Sequence, residues 1–166
     1  RLRSRGLGDV YKRQVLVHPM DTGNMGTIMR TMLGFHYTNL VIIKPAVDVF
    51  DPKVVRASMG AIFHLNVCYY DDFETYYQQY KHHEFYPLML KGAKNIHQVE
   101  SLSLHSLVFG NESSGLDDSY LNYGQSVFIP HSDQIDSLNL SMALGLTLFH
   151  FSANQFKEKE VLRENV

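Results

Sequence analysis

Short apolar runs recur along this chain at spacings that leave room for a helix between most neighbours, and that alternation limits its fold more than any other feature. Val15-Leu16-Val17, residues 40–43, 65–70, 85–90, 107–109 and 127–129 each read as a strand. The intervening segments carry helical spacing. Met25, Ile28, Met29 and Met32 share one side of a helix over 25–34, with Gly34 as its C-cap and Asp21-Thr22-Gly23-Asn24 as the turn ahead of it. Pro52 after Asp51 suits a first helical turn and starts a helix reaching about Met59. Asp71-Asp72 caps another that reaches about Tyr80, and Ser137 to about Gln155 is a long, nearly all-apolar helix. Strands alternating with helices in this way predict an α/β domain, a mostly parallel sheet flanked by helices.

With 166 residues, 45% hydrophobic and 19% charged, the chain suits one domain with a good core. Its apolar stretches fall short of a membrane span, and RLRSRGLGDVYKRQ lacks the apolar centre of a secretory signal. No membrane partner is therefore expected. The single cysteine, Cys68, excludes an internal disulfide, reads as a small residue buried at a strand, and fits a reduced, cytoplasmic setting. Residues 1–14 show no core pattern and read as a disordered or foreign tail; 15–156 form the domain, and 157–166 a charged C-terminal tail. The tail at 1–14 holds five Lys/Arg against Asp9, which leaves ten basic and sixteen acidic residues in the remainder. Such a balance is a poor footprint for a protein that grips nucleic acid unaided.

Ligands of parallel α/β sheets sit in loops beyond the carboxyl ends of strands. Three loops in such places stand out. The first, HPMDTGNMGTIMRT, has Gly23 and Gly26 before a helix, but neither the full G-x-G-x-x-G of a dinucleotide fold nor the G-K-[ST] of a P-loop. Asn24 reads there as an N-cap and Arg30 as an exposed helix residue, or both as site residues. The second, FGNESSGL, is not a nucleophile elbow, since Asn111 and Glu112 stand where G-x-S-x-G needs glycine. Glu112, just after a buried strand, needs a partner, and Arg30 is the candidate. In the third, IPHSDQIDSLNLSMALGL, Asp136 or Ser137 reads as the N-cap of the last helix, and Asn139 is an amide between leucines that must bond to something. No Cys/His cluster has metal-ligand spacing, so no metal is expected, and His82-His83 reads as a solvated helix end.

Taken together and in order, N-M-G-T-I-M-R-T, F-G-N-E-S-S-G-L and I-P-H-S-D-Q-I-D-S-L-N-L-S resemble the three motifs of the SpoU (TrmH-type) family, RNA ribose 2′-O-methyltransferases of the SPOUT class. The resemblance covers roughly residues 15–155, with DPKVVRASMGAIFHL similar to the stretch between the first and second motifs. It implies a SPOUT-type fold with a C-terminal trefoil knot, and a homodimer with the knot at its interface. It also implies S-adenosyl-L-methionine as cofactor and RNA, either tRNA or rRNA, as partner. Matched residue by residue, it implies Asn24, Arg30, Glu112, Ser137 and Asn139 as the catalytic set. Leu90, Lys91, Gly92, Gly110, Gly115, Ile129, Pro130 and Leu138 are implied around the cofactor, largely through main-chain groups.

On this reading Arg30 lowers the pKa of the ribose hydroxyl or holds a neighbouring phosphate, and Glu112 or water takes the proton. Many family members carry an N-terminal RNA-recognition domain. This chain reads as a minimal member or as a fragment without that domain, and its acidic balance favours the second. The alternatives are a catalytically weak RNA-binding or scaffold relative, a nucleotide-dependent enzyme of another class, and a methyltransferase acting on something other than RNA.

Overall fold

The computed structural model describes residues 12–91, 93–100 and 104–163, with side chains described to residue 153. Its strands are β1 (Lys12–Val17), β2 (Asn39–Ile43), β3 (Asn66–Tyr70), β4 (Glu84–Pro87), β5 (Lys94–Asn95), β6 (His105–Phe109) and β7 (Val127–Phe128). Its α-helices are α1 (Thr22–Gly34), α2 (Pro52–Ala57), α3 (Phe73–Gln79) and α4 (Leu140–Arg163), with short 3-10 turns at Ala61–His64, Ile96–Gln98 and Asp118–Asn122. Five strands pair in the order β3-β2-β1-β6-β4, all parallel, and β5 pairs with β7 in a separate ribbon. The mostly parallel α/β fold read from the apolar runs is the fold observed.

Side-chain alternation divides the core between the two faces of the sheet. Leu16, Leu40, Ile42, Leu107 and Phe109 point to the face covered by α1, α2 and α4, where they meet Met25, Ile28, Met29, Met32, Leu144 and Leu148. Val15, Val17, Val41, Ile43 and Val108 point to the face covered by α3, where they meet Phe73, Tyr76 and Phe85. Tyr120 and Tyr123 close this second layer, each ring centroid 4.8 Å from that of Phe73. Each fully buried aliphatic side chain contributes roughly 1.5–3 kcal/mol. Burial on both faces is why these strands read as continuous apolar runs.

The starts of α1, α2 and α3 are set by aspartates. Asp21 caps α1 by accepting the Asn24 amide at 2.6 Å, Asp51 caps α2 through Lys53 at 2.7 Å, and Asp72 caps α3 through Thr75 at 2.7 Å. The expected turn over Asp21–Asn24 is therefore a cap followed by the first turn of α1. Gly34 is the last residue of α1 rather than its cap, and the left-handed position behind it is His36, with φ 59°. α2 stops at Ala57, short of Met59, because Met59 and Gly60 take left-handed conformations with φ 50° and 84°.

The termini differ from expectation. Lys12, Arg13 and Gln14, expected in a tail, form the first half of β1, with Arg13 and Gln14 fully buried. Residues 1–11 of that expected tail lie outside the described residues. α4 begins at Leu140, later than expected, and continues to Arg163 through most of the expected charged tail. Among the described residues, no helix is long and apolar enough to cross a membrane.

A buried polar layer lies at the amino ends of β1 and β6. The Arg13 guanidinium stacks 3.6 Å from the Tyr80 ring centroid. The Ser106 hydroxyl lies 2.7 Å from the Tyr76 hydroxyl and 3.1 Å from His83 Nδ1. His83, expected at a solvated helix end, is thus buried, while His82 is exposed. Burial, reinforced by the nearby Arg13 charge, pushes the His83 imidazole down to about 4. The unfolded chain then takes up this proton first, at the ordinary imidazole value near ~6.5. Stability from this group is complete above that value and is lost as pH falls toward about 4. Urea midpoints measured from pH 7.5 to pH 4 should fall across this window, and H83F should flatten that fall.

Candidate active site at the carboxyl ends of the strands

Strands β1, β6 and β4 are neighbours, so the segments that leave their carboxyl ends converge on one edge of the sheet. The segment after β6 carries the most constrained backbone. Gly110 is buried, and a Cβ placed on it would lie 2.1 Å from the carbonyl carbon of Gly115 and 2.4 Å from the Leu116 nitrogen. No side chain fits there. Gly115 holds a left-handed φ of 66° and donates its amide to the Asn111 carbonyl at 2.9 Å, which folds residues 110–116 back on themselves. Asn111 Oδ1 accepts the Ser113 amide at 2.8 Å, completing the turn.

This turn is fastened to the segment after β1. Asn111 Nδ2 donates to the His18 carbonyl at 2.7 Å. Glu112 accepts the Met20 amide at 3.1 Å on one carboxylate oxygen and the Asp21 amide at 3.2 Å on the other. Its partner is therefore main chain just ahead of α1, a position where the helix dipole favours negative charge. The pairing with Arg30 expected from sequence is not made. Arg30 is exposed and lines a separate shallow groove with Thr27, Thr31, Gly34, Phe35 and Ala57.

The start of α4 is fastened to α1 in turn. Asn139 Oδ1 accepts the Ser141 amide at 2.9 Å and the Ser141 hydroxyl at 2.7 Å, so Asn139 itself, not Asp136 or Ser137, caps α4. Its Nδ2 donates to Asn24 Oδ1 at 3.2 Å. Asn24 lies in the first turn of α1 behind the Asp21 cap, and is not the cap.

A cavity of about 490 Å³ opens at this edge, a size usual for small-molecule sites. Its walls come from residues 88–91, 109–116, 127–129 and 136–138, with Asp118, His131, Leu140 and Ala143. Of the residues expected around the cofactor, Leu90, Lys91, Gly110, Gly115, Ile129 and Leu138 line it. Pro130 is exposed and does not line it, and Gly92 lies outside the described residues. Of the expected catalytic set, Glu112 and Ser137 stand in the wall, Asn24 and Asn139 bond to each other, and Arg30 stands apart. Sequence reasoning missed Asn111, Asp118 and His131. Asn111 and His131 sit inside the segments already singled out, whereas Asp118 lies outside them and lines the cavity paired with Lys91.

The lining suits an adenosine-like group with a charged tail. Leu88, Ile129, Leu138 and Leu140 offer an apolar wall, and the glycine turn offers main chain at close range. Among the described residues, no group of three or more His, Cys, Asp or Glu is placed to hold a metal ion. Cys68, expected to be buried, is half-buried on the edge strand β3.

Comparison with known proteins agrees with this geometry. The SpoU rRNA Methylase family model matches residues 13–149. The 23S rRNA (guanosine(2553)-2′-O)-methyltransferase of Bacillus subtilis is 26% identical over 78% of this chain and 53% of its own length. The putative tRNA (cytidine(34)-2′-O)-methyltransferase of the same organism is 28% identical over 81% of this chain and 88% of its own length. The chain thus spans little more than half of the first relative. The AdoMet-bound rRNA methyltransferase of Sinorhizobium meliloti superposes with a TM-score of 0.82 at 24% identity, covering 92% of this chain and 60% of that one. The order of the three segments, the fold they sit on and the family model converge: this chain belongs to the SpoU rRNA Methylase family.

Proposed function

We propose that this chain is an S-adenosyl-L-methionine-dependent RNA methyltransferase that transfers a methyl group to a ribose 2′-hydroxyl of tRNA or rRNA. The observation that carries this reading is the cavity itself, whose wall is made by the glycine turn 110–116 and the loop before α4, both segments of the family pattern. When bound, the cofactor supplies a methyl group already activated on a sulfonium. The chain's own part is to hold and to orient. Leu138 and Ile129 would receive the adenine ring, and the main chain at Gly110 and Gly115 the ribose. Lys91 and Asp118, paired with each other in the wall, would face the charged end of the cofactor. The two relatives of Bacillus subtilis support RNA as substrate through their own names. A trefoil knot in the C-terminal half and work in the cytoplasm belong to the same reading.

The second part of this reading is a homodimer. Met142, Leu146 and Phe149 recur along one side of α4 and are 59%, 43% and 66% exposed, while Leu144 and Leu148 on the other side are fully buried. Phe149 packs edge-on against Phe35 at 6.3 Å, and Phe35 borders the Arg30 groove. Association through this face would bring Arg30 of each copy to the interface, which reconciles a cation needed for RNA chemistry with its place outside the cavity.

Calorimetric titration with S-adenosyl-L-methionine, S-adenosylhomocysteine and NAD tests the cofactor: the first two should bind and NAD should not. Methyl transfer to tRNA and rRNA pools, read as alkali-resistant ribose methylation, tests the substrate. G110A forces its methyl group into the Gly115 main chain and should weaken cofactor binding by at least ~10-fold, with the fold intact by circular dichroism. R30A should leave cofactor affinity unchanged and lower kcat by roughly 10²-fold, the scale of a lost electrostatic stabiliser. Sedimentation equilibrium of the native protein should give twice the chain mass, and F149E should give the single-chain mass, because a charge buried without a partner at an apolar interface is costly.

A further inference from the structure

The acidic excess of this chain is not spread evenly along it. Between Thr22 and Tyr70 stand Arg30, Lys44, Lys53 and Arg56 against two acids, Asp48 and Asp51. Lys44 is paired with Asp71 at 3.0 Å. Both acids stand ahead of α2 and accept main-chain amides, Asp48 from Phe50 at 2.9 Å and Asp51 from Lys53 at 2.7 Å. The carboxyl end of α2 and the turn after it hold no acid. Among the described residues, Arg30, Lys53 and Arg56 make no ion pair, and all three are exposed. Lys53 and Arg56, three residues apart, share one side of α2.

This cationic stretch adjoins the Arg30 groove. α1 and α2 touch where Gly26 meets Ala57: a Cβ on Gly26 would lie 2.4 Å from the Ala57 Cβ. Arg30 follows Gly26 by about one helical turn and lines the groove together with Ala57, the neighbour of Arg56. Beyond α2, Ala61 and Ile62 turn inward to the core, while Met59 and Phe63 turn outward, 72% and 78% exposed. Among the described residues these are the two most exposed large apolar side chains. Met59 also holds a left-handed φ of 50°, which costs a residue with a Cβ, although its side chain is mostly in solvent.

We propose that Lys53, Arg56 and Phe63 form an RNA-docking surface beside Arg30, an inference that rests on the methyl transfer proposed above. Phe63 stacks on an unpaired base, and Lys53 and Arg56 take backbone phosphates. An exposed ring flanked by cations without partners is what single-stranded RNA recognises, because every base has a face to stack and every linkage a negative charge. A second copy of this chain fits the patch less well. In a two-fold contact the same patch meets itself, which sets these cations against their own copies. RNA held here lies next to Arg30, so the surface delivers substrate to the residue that the reaction needs.

The test measures binding of tRNA and rRNA pools to the native protein, F63A, F63W, F63L and the double variant K53Q/R56Q, by fluorescence anisotropy over a range of salt concentrations. F63A should raise the RNA Kd about tenfold, F63W should restore it, and F63L, apolar but without a ring, should not. K53Q/R56Q should lower the slope of log Kd against log salt by about one per charge removed. Affinity for S-adenosyl-L-methionine and the sedimentation mass should stay at native values in all four variants. RNA binding by F63A and K53Q/R56Q equal to native overturns the surface, as does equal rescue by F63L and F63W. A fall in sedimentation mass in F63A also overturns it, since Phe63 would then belong to a contact between copies. Native protein that binds S-adenosyl-L-methionine but no RNA overturns the surface and leaves the cofactor reading standing. Native protein that binds RNA through Phe63 but no S-adenosyl-L-methionine instead overturns the methyl-transfer reading.

Discussion

Parallel strands release the chain at the same edge of a sheet, and the site of this protein depends on that constraint. β1 lies between β2 and β6, at the point where the order of strands turns back. The segments after β1 and β6 consequently leave side by side. They need a polar fastening, since both expose main chain that no strand pairs. Asn111 and Glu112 provide it, with one amide donor and two carboxylate acceptor positions reaching across more than ninety residues of sequence. Hydrogen bonds to a charged acceptor contribute about 1.5–3 kcal/mol each, enough to hold a loop in one shape. Everything in the cavity wall is arranged on this fastened pair.

Much of the fold was legible in the residues. Apolar runs of six or fewer residues, separated by helical spacing, admit few arrangements other than a doubly covered parallel sheet. The aspartate caps were legible only in part, since Asp21 and Asn24 both have the chemistry of a cap and only the backbone decides between them. Arg13 and Gln14 misled for a different reason. Polar residues at a strand start look like a tail, and only their neighbours Tyr80, Leu107 and Val15 explain why they are buried. His83 misled in the same way, because its partner Ser106 is distant in sequence.

At the site, the positions that matter were visible as three polar segments, but their connections were not. Glu112 needed a partner, and a nearby arginine was the natural expectation. The actual partners are main-chain amides, which no residue identity reveals. Ser137 and Glu112 reach the cavity, while Asn24 and Asn139 serve each other at its back. Motif residues thus divide into those that face a ligand and those that hold the facing residues still. A motif alone does not separate the two kinds.

The bond between Asn139 and Asn24 has a direction. The carbonyl end of Asn139 is occupied by the first amides of α4, so its NH₂ end must turn toward α1. Asn24 can answer only with its own carbonyl oxygen, which leaves its NH₂ group as the outward end of the pair. The two amides act as a relay of fixed polarity: the start of α4 dictates that Asn24 offers a hydrogen rather than a lone pair to whatever approaches it. An aspartate at 139 would set acceptor against acceptor, whereas an aspartate at 24 would keep the bond from Asn139 and lose the outward hydrogen.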